Sequence, residues 1–524
     1  MENAMVIHKF LKNAALRFPN KPFLFYEGRQ ITYREVDTIS AKLASSFLEM
    51  GVGRADKIAV VAPNQPEWLY TYFAAAKIGA AVVALNVRYR LTEFVYMLNN
   101  SETKALVYVE GFGGFNFSDF FKENRTSFPT VEKYICIGGG GEGCVTFTDL
   151  IQRRLPGQER LERATEKVTE SDTAIIIYTS GTTGKPKGAM ITNKSILASA
   201  MAEVDHFRLA EDDVFVGNLP LNHVGGITCT ITTSLIKGAS VVLIPSFRPD
   251  LVLEAMAKLR VTVFGGVPTM YAMMLSFSDF SKYDLSALRI CIAGGSNVEP
   301  QLCTDITRAF PKARLLNLYG LSETSGACVL SRLDDPPEKV AESIGVVIDD
   351  FRVRVLDEKG NDLPPGEVGE LAFQGECVAA GYYGLKEETA EAFRDGWVLT
   401  GDMGCIDQEG YVYLKGRKKE MYIQGGFNVY PVEIENILTR HPKVLMAAGI
   451  GVPDALFGEV GRFYLVPVPG ESLTEEEIIA YCRQNLADYK VPKQIEFVDE
   501  LPLTPAGKVH KSLLTKRLFN NNGK

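Results

Sequence analysis

Short apolar runs alternate with longer amphipathic stretches through most of the chain, a pattern typical of strands that alternate with helices. The runs that favour buried strands are residues 58–61, 80–85, 174–178, 241–244, 261–264 and 290–293. Helix-like segments lie between them, including one that opens at residues 31–33. This rhythm predicts two α/β subdomains, each a sheet with helices packed against it.

The pattern changes between about residues 353 and 414, where short β-like runs are divided by turns. This change predicts a small β subdomain. Beyond residue 420 the α/β pattern resumes, with helices predicted over 433–440 and 475–486 and a strand over 447–452. The predicted fold class is therefore α/β, with a large N-terminal domain of two α/β subdomains plus a small β subdomain, and a smaller α+β C-terminal domain.

One stretch does not fit this alternation. Residues 112–165 are richer in glycine and charge and contain the glycine cluster 138–143. We expect exposed and poorly ordered loops there.

Composition narrows the function classes. The 524 residues are 46% hydrophobic and 23% charged, which are ordinary globular values. A net charge of −8 without a long basic run argues against nucleic acid as a partner. The N-terminus lacks the layout of a secretion signal and no long apolar span is present, so we expect a cytoplasmic protein without a transmembrane segment. Nine scattered cysteines and five histidines make structural zinc and disulfides poor candidates.

The segment from Tyr178 to Gly188 is the most informative of the chain. It follows a predicted buried strand and holds three glycines, four hydroxyl side chains and two lysines, Lys185 and Lys187. Close backbone approach, hydroxyl donors and positive charge together favour contact with a polyphosphate. A bare surface loop is the simpler reading. A Walker loop needs a wider glycine spacing and a Ser or Thr after its lysine, where this chain has Pro186.

Two further segments are weak when taken alone. Residues 319–324 offer an aromatic ring, a glycine and a carboxylate beside hydroxyls, which could serve a purine and a divalent ion, or form an ordinary loop. Residues 400–402 could present a carboxylate to ribose, but a lone Asp after Gly is usually a turn.

In order along the chain, these segments resemble the motifs of the adenylate-forming superfamily of acyl-CoA synthetases, luciferases and adenylation domains. The matching segments are residues 178–188 (phosphate loop), 220–223 (gate), 294–298 (adenine side), 319–323 (adenine and magnesium), 343–345 and 381–383 (structural markers), 400–402 (ribose), 417–419 (hinge) and 502–508 (catalytic lysine loop). Almost the whole chain is covered by this resemblance.

The resemblance implies roles for individual residues. The ATP and AMP site would contain Thr179, Ser180, Gly181, Thr182, Thr183, Gly184, Lys185, Lys187, Gly294, Gly295, Ser296, Tyr319, Gly320, Ser322, Asp402 and Arg417. The residues implied for catalysis are Lys508, His223, Glu323 and Arg417, with Glu323 also holding Mg²⁺ and His223 acting as a gate beside the carboxylate. Candidate positions for the acyl pocket are Gly225, Phe264, Val267, Gly294 and Leu321, and for coenzyme A they are Gly425 and Gly426.

The implied domain division is 1–416 for the N-terminal domain, 417–419 for the hinge with rotation about Lys419, and 420–524 for a mobile C-terminal domain. The implied activity is a carboxylate:CoA ligase that uses ATP, Mg²⁺ and coenzyme A and forms AMP and pyrophosphate. Glycine and apolar residues at the pocket positions favour an apolar acid, which we expect to be medium-chain, alicyclic or aromatic.

Three positions depart from the family pattern. Ser322 stands where threonine is frequent, Asn222 replaces an aromatic residue before His223, and His510 with Lys511 follows the lysine loop where arginine is common. The alternatives are a stand-alone adenylation enzyme that loads a carrier protein, a luciferase-like oxygenase, and a non-catalytic nucleotide-binding relative. A homodimer is an additional expectation.

Overall fold

The computed structural model describes residues 5–139, 143–152, 158–179, 185–295, 298–425, 427–454, 456–504 and 509–515. In chain order, strands β1 to β11 are Pro22–Tyr26, Arg29–Thr32, Lys57–Val61, Ala81–Leu85, Ala105–Val109, Gly111–Phe112, Phe115–Asn116, Lys133–Ile137, Val145–Thr146, Thr173–Thr179 and Lys187–Thr192. Strands β12 to β23 are Val214–Gly217, Ser240–Leu243, Val263–Gly266, Ile290–Gly294, Arg314–Leu321, Gly326–Leu330, Gly345–Val347, Arg352–Leu356, Gly369–Gln374, Phe393–Arg394, Trp397–Ile406 and Tyr411–Arg417. Strands β24 to β28 are Tyr422–Gln424, Phe427–Val429, Val444–Asp454, Gly458–Pro467 and Gln494–Phe497.

The helices flank these strands. In chain order, helices α1 to α8 are Ile7–Arg17, Tyr33–Glu49, Pro66–Ile78, Leu91–Asn100, Phe117–Glu123, Phe147–Gln152, Gln158–Glu166 and Asn193–His206. Helices α9 to α17 are Val224–Gly226, Thr233–Lys237, Pro249–Lys258, Pro268–Leu275, Pro300–Ala309, Pro337–Glu342, Lys386–Ala392, Pro431–Leu438 and Glu475–Asn485. A π-helix, Ile227–Thr232, joins α9 to α10.

Local sequence explains where these elements begin. Helix α2 starts after Thr32, whose side chain accepts a hydrogen bond from the Glu35 amide while the Glu35 carboxylate accepts one from the Thr32 amide at 2.7 Å. This capping box satisfies two backbone groups that a helix end leaves free.

The first sheet has the strand order β11-β10-β4-β3-β5-β8-β9 and is parallel except for the β10–β11 hairpin. Its central strands β3, β4 and β5 are buried along most of their length. Continuous apolar runs are required there because helices cover both faces of such a sheet.

The second sheet begins with β2-β1-β13-β12-β14-β15-β16, which is parallel from β1 to β16. It continues through antiparallel strands β17, β18, β23, β22, β20 and β19. The predicted β subdomain is therefore hydrogen-bonded to the second α/β subdomain through the β18–β23 pair. The C-terminal domain has a sheet of its own, in the order β25-β24-β27-β26, with β28 beside β27.

The expectation of poorly ordered loops over residues 112–165 is wrong for most of that stretch as far as the structure describes it. It contains α5, β8, α6 and α7. Phe117 and Phe121 are fully buried, and Phe121 packs edge-on against Phe94 of α4 at 5.3 Å between ring centroids. These aromatic anchors were hidden in the sequence by the surrounding glycines and charges, and residues 140–142 of the glycine cluster lie outside the described residues.

The topology places the predicted motifs at the carboxyl ends of parallel strands. The carboxyl end of β10 precedes the phosphate loop, and those of β12, β14, β15 and β16 precede the gate, acyl, adenine-side and magnesium segments. In open α/β sheets, ligands bind outside the carboxyl ends of the strands. The gate, acyl, adenine-side and magnesium segments therefore follow neighbouring strands at the carboxyl edge of the second sheet, and the phosphate loop follows a strand of the first sheet.

Candidate active site

The β10–β11 hairpin presents the ends of the phosphate loop. Thr179 is paired with Lys187, and its hydroxyl lies 3.4 Å from the Lys187 carbonyl oxygen. Glycine is needed at residue 188, since a Cβ there would lie 2.9 Å from the Ile176 side chain. The hairpin thus holds Lys187 at a fixed position on a buried strand pair.

Helix α4 supports this loop from one side. The Tyr96 hydroxyl donates a hydrogen bond to the Pro186 carbonyl at 2.9 Å, and the Lys185 ammonium lies 5.9 Å from the centre of the Tyr96 ring. The Tyr178 hydroxyl donates to the Asn100 side chain at 2.6 Å. Contacts with helix α4 therefore hold both ends of the loop, of which the second carries the two lysines.

A chain of contacts leads from Lys187 to Glu323. The Lys187 ammonium lies 5.1 Å from the centre of the Tyr382 ring, and the Tyr382 hydroxyl donates to Glu323 Oε1 at 2.7 Å. The Ala379 amide donates to the Glu323 carbonyl at 2.9 Å. Burial and the Glu323 charge raise the pKa of Tyr382, so its hydroxyl keeps its proton and donates to the carboxylate.

A second group of interacting side chains consists of Tyr319, Asp402 and Arg417. The Tyr319 hydroxyl donates to Asp402 Oδ2 at 2.6 Å, and the Arg417 guanidinium lies 2.7 Å from Asp402 Oδ1. Asp402 is 2% exposed, whereas the Arg417 side chain is 41% exposed. Burial and the Asp402 charge raise the pKa of Tyr319. The buried carboxylate is thus balanced by one cation and one hydroxyl.

The charged side chains of the two groups influence one another. Burial opposes the charge of Arg417, but Asp402 and other acidic neighbours, including Glu323, outweigh it and raise the pKa of Arg417. Burial, followed by the Arg417 charge, lowers the pKa of Lys419, which also lies within the influence of Lys187. The candidate residues for phosphate, metal and ribose therefore lie close enough for their charges to influence one another.

Close approach of neighbouring backbone restricts two positions near these residues to glycine. A Cβ on Gly294 would lie 2.8 Å from the Leu318 carbonyl oxygen, and one on Gly320 would lie 2.0 Å from the Gly326 carbonyl oxygen. Gly295 has a φ of +83°, in the left-handed region. Ser322, which is 6% exposed, begins the 3₁₀ turn that carries Glu323.

The gate segment follows β12. His223 caps helix α9, and its Nδ1 accepts a hydrogen bond from the Gly225 amide at 3.2 Å. Asn64, at the end of the first sheet, donates to the Gly217 and Leu219 carbonyls and accepts from the Leu221 amide at 3.0 Å. One buried amide side chain thus fixes the loop that leads to His223.

The candidate acyl positions differ in accessibility. Gly225 and Leu321 are half-buried, and Val267 is 8% exposed. Phe264 is fully buried, with its ring 5.0 Å from that of Tyr271 in a T-shaped arrangement. The Phe264 ring therefore belongs to the core of the second subdomain, and the acyl assignments stay predictions.

Several candidate residues lie outside the described residues. They are Ser180, Gly181, Thr182, Thr183, Gly184, Ser296, Gly426 and Lys508. On either side of residues 505–508, Leu503 and Val509 form an isolated antiparallel β-bridge. Lys511 is ion-paired beyond this bridge, with its ammonium 2.9 Å from Glu420 and 2.7 Å from Glu435. The departure from arginine at this position thus leaves a buried ion-pair anchor in place.

Gly425 lies in the C-terminal domain, at the turn between β24 and β25. Its φ of +59° and a hydrogen bond from its amide to the Phe457 carbonyl at 2.9 Å fix the turn. The predicted coenzyme A role of this turn stays a prediction.

The residues present fit a magnesium ion. No group of three or more His, Cys, Asp or Glu suited to a metal occurs among the described residues, and Glu323 offers a single carboxylate. Mg²⁺ is usually held by one or two carboxylates together with substrate phosphates and water. A lone carboxylate beside a phosphate loop is that kind of donor set.

Sequence reasoning missed three supporting residues. Tyr382 was noticed only as part of a structural marker, although its hydroxyl holds Glu323. Asn64 and Tyr96 gave no signal, because each acts through a contact with a residue far away in the chain. Such contacts cannot be read from local spacing.

Comparison with known proteins places these features in a family. The family described as AMP-binding enzyme matches residues 11–383, and the one described as AMP-binding enzyme C-terminal domain matches residues 433–508. The chain is 34% identical to 3-[(3aS,4S,7aS)-7a-methyl-1,5-dioxo-octahydro-1H-inden-4-yl]propanoyl:CoA ligase of Rhodococcus jostii (strain RHA1), over 96% of this chain and 97% of that protein. It is 34% identical to a feruloyl-CoA synthase of Amycolatopsis sp, over 95% of this chain and 96% of that protein.

A solved structure extends the likeness to the whole fold. The anthranilate CoA ligase AuaEII in complex with anthranoyl-AMP matches with a TM-score of 0.91 at 26% identity, covering 100% of this chain and 99% of that chain. No helix in the part of this chain that the structure describes is long and apolar enough to cross a bilayer.

Proposed function

The chain belongs to the adenylate-forming family of AMP-binding enzymes, and on this premise we propose that it is an ATP-dependent carboxylate:CoA ligase. It activates an apolar carboxylic acid as an acyl adenylate and transfers the acyl group to coenzyme A. The observation that supports the proposal is the run of contacts from Lys187 through Tyr382 to Glu323, close to the ion pair of Arg417 with Asp402.

In the first step, a carboxylate oxygen of the acid attacks the α-phosphorus of ATP. The bond between the α-phosphorus and the bridging oxygen breaks, and pyrophosphate leaves. Both reactants are anions, so the protein lowers the barrier by positioning them and by placing positive charge around them. Lys187 and Arg417 supply charge on the phosphate and ribose sides, and Lys508 is the residue we propose to bridge the carboxylate and the α-phosphate.

Glu323 is the residue proposed to hold Mg²⁺, which when bound neutralises phosphate charge. Tyr382 keeps the Glu323 carboxylate in place by donating a hydrogen bond to Oε1 at 2.7 Å. Asp402 is proposed to accept hydrogen bonds from the ribose hydroxyls, and Tyr319 to contact the adenine. Both groups are already held by each other and by Arg417, so little reorganisation is needed on binding.

In the second step, the thiol sulfur of coenzyme A attacks the acyl carbon of the adenylate. The bond from that carbon to the phosphate oxygen breaks, and AMP leaves. We propose that the C-terminal domain, residues 420–524, turns about Lys419 between the steps and brings Gly425 and Gly426 to the thiol. Support for the division comes from the separate C-terminal sheet and from the gap between the two family matches.

The acid is proposed to be medium-chain, alicyclic or aromatic. The proposed pocket positions carry no charged side chain, which favours an apolar acid over an amino acid. The relatives' names point in the same direction, since one acts on a fused-ring propanoate and another on ferulate.

A carboxylate panel read by AMP production tests the proposal. Straight-chain, alicyclic and aromatic acids would be compared with amino acids, each with and without coenzyme A. AMP formation that requires one of the apolar acids and coenzyme A is the expected result. If no acid of a broad panel supports AMP release or pyrophosphate exchange, the catalytic proposal is wrong.

The same panel separates free coenzyme A from a carrier protein as acceptor. The expected result is both pyrophosphate exchange and a thioester of coenzyme A. Exchange with the acid in the absence of any thioester product would leave only the carrier-loading alternative.

A further inference from the structure

One buried acid has no role in the proposed chemistry but lies next to the helix that follows the gate. Glu203, on helix α8, is 0% exposed. Its Oε2 lies 3.5 Å from the Thr233 hydroxyl, and its carboxyl also contacts the Cys229 thiol and the backbone of Ala327. Its Oε1 is buried and has no hydrogen-bond partner among the residues that the structure describes. The Glu203 carboxyl thus links α8, the helix that carries it, to the helix after the gate and to strand β17.

The helix that follows His223, here called the gate helix (residues 224–237), has an unusual turn. Three threonine hydroxyls along it bond to carbonyls five residues earlier, from Thr230 to Gly225 at 2.9 Å, from Thr232 to Ile227 at 2.7 Å and from Thr233 to Thr228 at 2.9 Å. Turns of the π type are uncommon and occur often at functional sites. Glu203 therefore contacts the π-helical part of the gate helix through Cys229 and the residue after it through Thr233.

The gate helix connects two parts of the proposed site. It begins directly after His223, and its Thr228 hydroxyl donates to the Ser325 carbonyl at 2.6 Å. Ser325 caps the 3₁₀ turn that carries Glu323, in a left-handed conformation with a φ of +58°. A shift of the gate helix would therefore move His223 directly, and would reach the turn that carries Glu323 through the hydrogen bond to Ser325.

The surroundings of Glu203 favour its neutral form. Burial raises the pKa of Glu203 to about 8, and the contacts that oppose this come from the Cys229 thiol, the Ala327 backbone and the Thr233 hydroxyl. Within the described residues, no basic side chain contributes to this balance, and Cys229, whose own pKa burial raises, is the titratable group that faces it. An unpaired carboxylate is costly in such a place.

We propose that Glu203, as a protonated carboxyl, is a positioning residue that holds the gate helix against α8 and strand β17 and so keeps the acid-binding site in shape. This proposal rests on the proposed function for its kinetic consequence only. Its structural consequence, a neutral buried acid under the gate helix, can be measured without any substrate.

Thermal unfolding against pH tests the protonation state. The folded-state pKa of Glu203 lies above its value in the unfolded chain, so the folded protein binds the proton more tightly, and stability falls as pH rises from about 4.5 to about 8. Glu203→Gln keeps the shape and cannot ionise. We expect the melting temperature of the wild type, relative to Glu203→Gln, to fall progressively over this range.

The matched control is Glu254→Gln, which makes the same change in an exposed acid on helix α11. Its melting curve should stay parallel to that of the wild type. Parallel curves for Glu203→Gln as well would overturn the proposal, whatever the activity of the protein.

Kinetics test the positioning role. The KM for the carboxylic acid should rise about tenfold in the wild type between about pH 7 and about pH 9, while KM for ATP changes little and Glu203→Gln stays flat. A purely structural acid would alter kcat and both KM values together. An unchanged KM for the acid in the wild type over this range would contradict the role even if the unfolding result holds.

An infrared measurement on the wild type covers the case in which Glu203→Gln fails to fold. A carbonyl band of a protonated carboxylic acid should be present at neutral pH and disappear as the pH is raised through about 8. Absence of that band at neutral pH would overturn the proposal.

Discussion

At the scale of single residues, the site is organised by hydroxyl groups that hold carboxylates. Tyr382 donates to Glu323, and Tyr319 donates to Asp402. Each tyrosine is largely buried, and burial raises the pKa of both phenols, so they donate hydrogen bonds and do not add charge. The two carboxylates are thereby held in place for the proposed contacts with a metal ion and with ribose.

Tyr382→Phe removes only the hydroxyl that holds Glu323. We expect a roughly tenfold loss in the rate of adenylate formation and a need for more Mg²⁺, because the carboxylate becomes free to rotate. Pyrophosphate exchange measured over a range of Mg²⁺ concentrations checks this. The control is Tyr383→Phe, whose hydroxyl bonds to Glu102 away from the site and whose loss should leave the Mg²⁺ dependence unchanged.

Lys508→Ala tests the residue proposed for the first step. Adenylate formation should be nearly abolished, while transfer from a premade adenylate to coenzyme A should survive, since the lysine is assigned to the first step only. The two half-reactions are followed separately by pyrophosphate exchange and by thioester formation. Equal loss of both would show that Lys508 serves a general structural role.

At the scale of elements, the gate loop depends on a contact between the two sheets. Asn64, which is 5% exposed, satisfies three backbone groups of residues 217–221. Asn64→Ala leaves these groups without their partner, and we expect a loss of about 2 to 4 kcal/mol in the free energy of unfolding. Urea unfolding measures it. Asn361→Ala, at an exposed turn, is the control and should cost well under about 1 kcal/mol.

The N-terminal helix α1 contributes a pH dependence. Burial and the charges of Lys77, Lys9 and Lys12 lower the pKa of His8 to about 3, from 6.5 in the unfolded chain. The unfolded chain therefore binds the proton first, and the stability given by neutral His8 is present above pH 6.5 and lost as pH falls toward 3.

His8→Leu removes this titration. From about pH 8 to about pH 5, the melting temperature of the wild type should fall more than that of the variant. The difference between the two melting curves is the measurement, since the other acids titrate equally in both proteins. If that difference does not change with pH, His8 is not the group responsible.

The sequence was sufficient for elements with a strong local pattern and for motifs with a fixed spacing. The strands 174–178 and 290–293 were predicted because they are unbroken β-branched or apolar runs, and they form β10 and β15. The continuity of the second sheet through β18 and β23 was not predicted, because pairing between strands about 65 residues apart leaves no local signal. For the same reason Asn64 and Tyr382 were not recognised as supports of the site.

At the scale of the whole molecule, the two domains touch beside the site. Burial raises the pKa of Glu299, which lies just after the adenine-side loop. A hydrogen bond with Thr439 and the charge of Arg440, both in the C-terminal domain, oppose this shift. These residues form a polar contact between domains. Interfaces of this kind are compatible with relative domain motion.

Lys419→Pro tests the proposed rotation. Proline fixes φ at residue 419 and restricts the residue before it. Adenylate formation should be retained, and thioester formation should fall by a factor of about 10 to 100. Lys419→Ala, which keeps the backbone free, is the control for loss of the charge. Equal rates of thioester formation in Lys419→Pro and the wild type would show that no rotation is needed.

The position of Arg417 has a consequence for the order of events. Arg417 is the last residue of β23, a strand hydrogen-bonded within the large second sheet, and Lys419 follows two residues later. A domain that turns about Lys419 moves far at its outer edge but hardly at all next to Arg417. With the ribose at Asp402 as proposed, AMP can stay bound while the C-terminal domain exchanges its contacts with the N-terminal domain. One bound nucleotide would then serve a full turnover, and its departure would come last.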